Sequence, residues 1–406
     1  MSVSMSCPWN RASTSLLTLL LMVGPMYPAS ANDSLDTLDT LQVHGFLSQA
    51  LVITDENNFF GPSSQDGGSL QFTEIGANVS LRPHRNVLLA AQVLSRRAGG
   101  ELSDMRPKLD HGVVDYQAFA DSTTRLGTQI GRFKNPFGFY NQTRDIAFTR
   151  PSILLPQSIY FDRTRSLGLA ADGMAIYGEK RLPVGTFRAQ IGAGKPQVGD
   201  DVARALMLDS RPGELDSDTS FIGQLLYEHG GGRFTAALSA ADVNATFQSH
   251  QAAWDGGKLR FQPWILSLQY DEERWSLTAE YALRHISLSD FALPGVNFDT
   301  TGESWYLQYT RRFHRDWQWL LRYDVLVNDR DDRSGRRFEA SGAGPAHSRF
   351  ARDLTLGLRW YVHPRLLLAT EYHYVEGTGW LPSQDNPDSD TQKYWNMLLF
   401  QASWRF

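Results

Sequence analysis

The chain has 406 residues, with 44 acidic against 39 basic, a single cysteine and 12% aromatic residues. An acidic balance argues against nucleic-acid binding, which needs a basic surface. No segment approaches 18 continuous apolar residues, so a bundle of membrane-crossing helices is excluded.

The first element is the segment 1–31. Arg11 supplies a positive start, Leu16 to Val23 (LLTLLLMV) an apolar core, and Ala29-Ser30-Ala31 a small-residue cleavage site, the pattern of a signal peptide. The apolar run is far shorter than the ~20 residues a spanning helix needs. Cys7 precedes that core and leaves with the peptide, so disulfides, thiolate chemistry and cysteine metal sites are not expected. Arg11 is the only charge of the segment, so the mature chain carries 38 bases against 44 acids, net −6. Residues 32–41 read as a short periplasmic N-terminal segment, too short to plug a channel, and 42–406 as one domain.

From there the chain alternates polar and apolar residues in sixteen segments. They lie near 42–53, 70–82, 86–96, 112–121, 124–133, 172–181, 184–193, 219–228, 233–243, 259–270, 274–286, 302–313, 316–328, 351–362, 365–375 and 392–406. Short polar connections recur at every second junction: RPHR after Leu81, DST after Ala120, RLP after Lys180, HGGG after Glu228, DEER after Tyr270, HR after Phe313 and HP after Val362. Eight long loops separate them. Short turns on one rim and long loops on the other mark an outer-membrane barrel, whose strands of roughly ten residues cross the apolar layer at a tilt of ~45°. The expected fold is all-β: a 16-stranded antiparallel transmembrane β-barrel with long extracellular loops, short periplasmic turns and an in-folded third loop. The expected location is the Gram-negative outer membrane, reached through the periplasm.

The faces are legible along each strand. In 316–327, Trp317, Trp319, Leu321, Tyr323 and Val325 share one side, while Gln318, Arg322 and Asp324 share the other. In 351–361, Leu354, Leu356, Leu358 and Trp360 oppose Asp353, Thr355 and Arg359. Aromatic residues near the strand ends read as girdles at headgroup level. A barrel of this width keeps an aqueous lumen. Its expected wall carries Arg125, Arg188, Arg284, Arg312, Arg322, Arg359 and Arg405 against Glu74, Asp115, Glu280, Asp324, Asp353 and Glu371. That wall is mixed in sign, and much of its charge pairs internally.

The third loop, from about Phe133 to Ala170, is the longest. It holds Lys134, Arg144, Arg150, Arg163 and Arg165 against Asp145 and Asp162, beside two apolar runs, Pro136 to Tyr140 and Ile153 to Phe161. Folded into the barrel, it could rest its apolar side on the wall and present the five bases at a constriction, where fixed charge has most effect on passing ions. The competing reading is that these bases bind lipopolysaccharide phosphates or brace the loop on acidic wall residues. The outer loops are acidic, with Asp55, Glu56 and Asp66 in the first and Glu376, Asp385, Asp388 and Asp390 in the eighth. Loose divalent-cation binding under anionic lipid accounts for them without a dedicated site. Asn141-Gln142-Thr143 matches a glycosylation sequon by chance.

The last strand ends on alternating Phe400, Ala402, Trp404 and Phe406. This ending resembles the signal read by the barrel-assembly machinery. With the signal peptide, the sixteen strands and the long third loop, the chain resembles the outer-membrane porin superfamily over 42–406. GRFKNPFGFYNQTRD (Gly131 to Asp145) is similar to the strand-to-loop passage of phosphate-selective porin-like proteins. The resemblance implies a homotrimer in contact with outer-membrane lipid and lipopolysaccharide, with Trp404 and Phe406 as assembly signal. It also implies a passive channel for small hydrophilic solutes, with mild anion preference and no cofactor, metal or catalytic residue. Phosphate-selective members add a lysine cluster from another loop, and the fifth loop here has only Lys258. Two other functions compete. A sugar channel could use Phe137, Phe139 and Tyr140 as a stacking track. A barrel hydrolase would need a nucleophile beside a histidine such as His285 or His373, yet no G-x-S-x-G elbow occurs.

Overall fold

A computed structural model describes residues 39–406, except 100–104, 199, 207, 209–212, 251–255, 293–294, 383–384 and 387–390. The segment 1–31 and most of 32–41 lie outside the described residues. The strands are β1 (Gln42–Thr54), β2 (Ser69–His84), β3 (Val87–Ala98), β4 (Lys108–Ala120), β5 (Thr124–Lys134), β6 (Ala170–Leu182), β7 (Gly185–Pro196), β8 (Gly213–Ser217) and β9 (Ser220–His229). They continue with β10 (Phe234–Ser249), β11 (Gly257–Asp271), β12 (Trp275–Ser289), β13 (Phe298–His314), β14 (Trp317–Val327), β15 (Phe350–His363), β16 (Leu366–Gly377) and β17 (Tyr394–Arg405).

Apart from β8, each strand pairs antiparallel with the next, β7 with β9, and β17 returns to β1, so the sheet closes. β8 and β9 form one stave. β8 pairs with the upper half of β10 and β9 with its lower half, and Asp218 and Thr219 interrupt the run between them. The result is a closed barrel of sixteen antiparallel staves. The seven short turns fall where the polar connections predicted them. The long-loop ends differ: β4, β10 and β13 run several residues beyond their expected limits, because paired backbone continues above the apolar layer where alternation fades.

Strand pairing shows which face is which. Arg322 pairs with Thr355 and Asp324 with Asp353 across β14 and β15, while Leu321 and Tyr323 meet Leu356 and Leu354 on the opposite face. The charged set is buried in the interior, Arg322 at 1% exposure, whereas Leu356 stands 51% exposed on the outer circumference. Oily residues look outward, as hydrocarbon requires. Near the short-turn rim the outer surface carries a row of rings. Trp275 packs on Tyr309, Tyr309 on Trp319, and Trp317 stacks on Trp360 with centroids 5.0 Å apart.

The closing seam extends to the last residue. β1 and β17 pair from Phe46–Arg405 to Thr54–Met397. Beyond them the Phe406 N–H donates to the Gly45 carbonyl (3.0 Å), and the Gly45 N–H donates back to the Phe406 carbonyl (3.1 Å). A Cβ on residue 45 would lie 2.3 Å from the Phe406 ring, so glycine makes room for the terminal aromatic. Trp404 flanks it, ring centroids 5.1 Å apart. Phe406→Ala is expected to lower barrel stability by about 1 kcal/mol, since the ring is only partly covered. Heat-modifiable electrophoresis checks this: the unfolding midpoint should fall with strand content unchanged, and an unchanged midpoint would remove the ring from the seam's energetics.

Candidate functional site: the third loop in the lumen

Residues 135–169 leave β5 and fold into the barrel instead of standing above it. The loop has little regular structure: short 3-10 turns at Asn141–Thr143 and Ala147–Thr149 and one helical turn at Arg165–Leu169. Buried irregular backbone needs hydrogen-bond partners, and the wall supplies them. The Glu371 carboxylate accepts from the N–H groups of Ile153 and Leu154, the latter at 3.1 Å. The Glu280 carboxylate accepts from the Phe139 N–H (3.0 Å) and from the hydroxyls of Tyr160 (2.6 Å) and Tyr306 (2.8 Å). Asp324 faces the Ser158 N–H at 3.4 Å. Wall arginines do the converse. Arg322 donates to the Leu154 carbonyl (3.0 Å) and Ser152 Oγ (3.1 Å), and Arg359 to the carbonyls of Ala147 (2.8 Å) and Arg150. These wall residues sit on β12, β14, β15 and β16.

The loop's own bases meet acids. Arg150 donates to Glu74 on β2 (2.9 Å), and Arg96 on β3 bridges Glu74 (3.0 Å) to Asp162 (2.5 Å). Arg144 lies 3.7 Å from Asp162 and donates to the Tyr160 carbonyl at 2.9 Å. Arg165 pairs with Asp145, which also holds Lys134, and Lys134 reaches Asp110 at 2.8 Å. Five bases and four acids thus form one nearly neutral buried network. Of the five bases expected at the constriction, Lys134, Arg144, Arg150 and Arg165 each lie against an acid of this network. Arg163 stands apart. It donates to the Ala205 carbonyl (3.4 Å) and forms no ion pair among the described residues.

The expected wall residues divide by height. Arg322, Arg359, Glu280, Asp324 and Glu371 hold the loop. Arg125 and Arg312 are exposed near the short-turn end, and Arg188 there pairs with Glu179 (2.9 Å) and Glu228 (2.7 Å). Arg284 lies at the opposite end, its guanidinium 4.8 Å over the Phe161 ring. Cavities lie on both sides of the loop. One of about 220 Å³ sits toward the short turns, against Asn78, Ser80 and Gln92, and one of about 530 Å³ lies among the long loops.

No protein-family model matches the sequence, and a search of curated proteins returns no match. Solved structures do match in fold. The anion-selective porin of Comamonas acidovorans superposes with a TM-score of 0.55 at 12% identity, covering 90% of this chain and 99% of that one. The outer membrane channel DcaP of Acinetobacter baumannii gives 0.55 at 13%, covering 90% and 97%. Salmonella typhi OmpF, in complex with daunomycin, gives 0.55 at 11%, covering 90% and 97%. This chain has the porin fold.

Within that porin fold, the loop's aromatic and amide side chains have packing partners. Phe137 is buried with Ile159, Tyr160, Ile265 and Tyr306, and Tyr140 packs on Tyr160 with centroids 5.6 Å apart. Phe137 and Tyr140 therefore contribute to the loop's core. Asn141 of the sequon is buried, its amide donating to the carbonyls of Asn135 (3.0 Å) and Gly168 (2.9 Å). His373 lies between carboxylates, Nδ1 2.8 Å from Asp353 and Nε2 3.4 Å from Glu371, which is a structural setting. Sequence reasoning missed Arg96 and Asp110. Arg96 was within reach, because it shares the inward face of its strand and pairs across the ladder with Glu74.

Glu371→Ala leaves two loop N–H groups without their acceptor, at a cost of about 2 kcal/mol. The loop in this variant should be cut faster by limited proteolysis, with the barrel still folded. An unchanged cutting rate would show that the anchor is redundant.

Proposed function

We propose that the protein is an outer-membrane porin, a passive diffusion channel for small hydrophilic solutes with a mild preference for anions. A closed barrel, apolar outside, with a loop folded into its lumen is the single observation that supports this reading. The signal-peptide pattern of 1–31 and the seam ending on Phe406 agree with delivery through the periplasm and insertion into the outer membrane. In this reading the barrel occupies 42–406 and works as a homotrimer surrounded by lipid and lipopolysaccharide. The trimer rests on the porin resemblance.

The anion preference has a different basis from the basic constriction that composition suggested. Bases paired inside the loop network contribute little field beyond it. Arg125 and Arg312 at the inner mouth, and Arg163, Arg284 and Arg349 at the outer one, have no carboxylate within 4 Å among the described residues. Cations without a carboxylate partner that line a passage raise the local concentration of anions.

In a planar bilayer the purified protein should show stepwise conductance, and in a potassium chloride gradient its reversal potential should indicate anion preference. Arg125→Gln with Arg312→Gln should shift that potential toward zero. A cation-selective reversal potential in the unaltered protein would overturn the preference and leave the channel. Absence of conductance from folded protein would overturn the channel itself.

A further inference from the structure

The cavity among the long loops is a vestibule of about 530 Å³, closed below by the third loop. Three arginines line it: Arg163 from the third loop, Arg284 from the upper end of β12 and Arg349 from the connection before β15. No carboxylate lines it among the described residues. That composition contrasts with the lumen just below, where the loop's other bases each face an acid.

The three guanidiniums are held by neutral groups. Arg284 donates to the Val327 carbonyl (3.2 Å) and lies over the Phe161 ring, and Arg349 lies 4.6 Å over the Phe338 ring. Among the described residues Arg163 has only the long contact to the Ala205 carbonyl. The Nε atoms of Arg163 and Arg284 are buried without an acceptor among the described residues. Donors of this kind carry a desolvation penalty that an anionic acceptor relieves. Aromatic faces position the cations without neutralising them.

The remainder of the wall is mostly apolar, with hydroxyl and amide side chains such as Thr300, Asn328, Ser348 and Thr378 set among the apolar residues. Leu167, Val202 and Leu259 belong to one buried hydrophobic cluster, and Trp380 and Leu381 to another, and both clusters reach the cavity. A small inorganic anion would meet the charge and leave this apolar surface wet. A sugar could use the few hydroxyl and amide side chains, but it would meet no carboxylate among the described residues and would leave the arginine charge unanswered. A neutral apolar molecule would leave the arginine donors unpaired. The volume lies within the usual range for small-molecule sites, roughly 300–1,000 Å³.

We infer that the outer vestibule is a binding site for organic anions with an apolar body, such as aromatic carboxylates. The carboxylate docks against Arg163 and Arg284, and the ring lies against Ile286, Phe298 and Trp380. The vestibule thereby selects the solute before it reaches the third loop. This inference rests on the channel reading and names its solute class.

The test is calorimetric titration of the full chain in lipid nanodiscs with 2-naphthoate, its neutral amide 2-naphthamide, and inorganic phosphate. Naphthoate should bind at least tenfold more tightly than either of the others. Arg163→Gln combined with Arg284→Gln should abolish that margin, and Arg284→Lys should retain part of it. If the double variant fails to show heat-modifiable folding, Arg163→Gln and Arg349→Gln, both in loops, replace it, each expected to lose threefold or more. Equal binding of naphthoate and naphthamide, phosphate binding as tightly as naphthoate, or full affinity in folded variants would each overturn the site. Binding without bilayer conductance would support the site and remove the channel, and conductance without binding would do the reverse.

Discussion

A strand edge left open in hydrocarbon leaves several kcal/mol per backbone group uncompensated, and the architecture of this chain follows from avoiding that loss. The seam between β1 and β17 removes the edge, and its pairing continues into the reciprocal hydrogen bonds between Gly45 and Phe406. Closure with an even number of staves brings Gln42 and Phe406 to the short-turn rim. It also creates a second problem. Sixteen staves enclose more space than their own side chains can fill, so the interior is defined by whatever the loops place there.

The third loop meets that second problem with wall charges acting as substitutes for regular secondary structure. Helices and sheets satisfy their own backbone, but an irregular segment in a buried position must find partners elsewhere. Glu280, Glu371 and Asp324 take loop N–H groups, and Arg322 and Arg359 take loop carbonyls. Removing any one of these groups therefore affects the loop's position and the lumen's charge together. The same economy explains the near-neutral network around Glu74 and Asp145, since a buried charge without a partner costs several kcal/mol.

The fold was readable because strand alternation has a period of two and the short turns carry their own chemistry. Thirteen or more residues in a stave such as β12 (Trp275–Ser289) repeat the same inside–outside choice, so local errors do not propagate. The break at Asp218 and Thr219 was not readable, since the preceding five residues alternate too briefly to announce a strand. Face parity also brought Arg322, Asp324 and Glu371 to the interior. It gave no information about which loop atoms they would meet, because the partners are as far apart in sequence as Glu371 and Ile153. Composition misled at the loop for a related reason: an excess of bases within one segment says nothing of Glu74 and Asp110, which come from distant strands to pair with them.

Charge pairing redistributes the field along the axis. In the network around the third loop each positive end lies within about 4 Å of a negative one, so the potential of each pair falls off faster than that of a lone charge. At the outer mouth Arg163, Arg284 and Arg349 have no such counterpart among the described residues and sit against mostly apolar walls. Exposed acids such as Asp55 and Asp66 stand in the outer loops, where salt confines their influence to about 8 Å at physiological ionic strength. Low-dielectric walls have the opposite effect on the vestibule cations, concentrating their field in the cavity instead of losing it to solvent. A chain of net negative charge can therefore hold a cationic chamber at its entrance. The sign a solute meets there is set by which arginines lack a carboxylate, and not by the overall count of bases and acids.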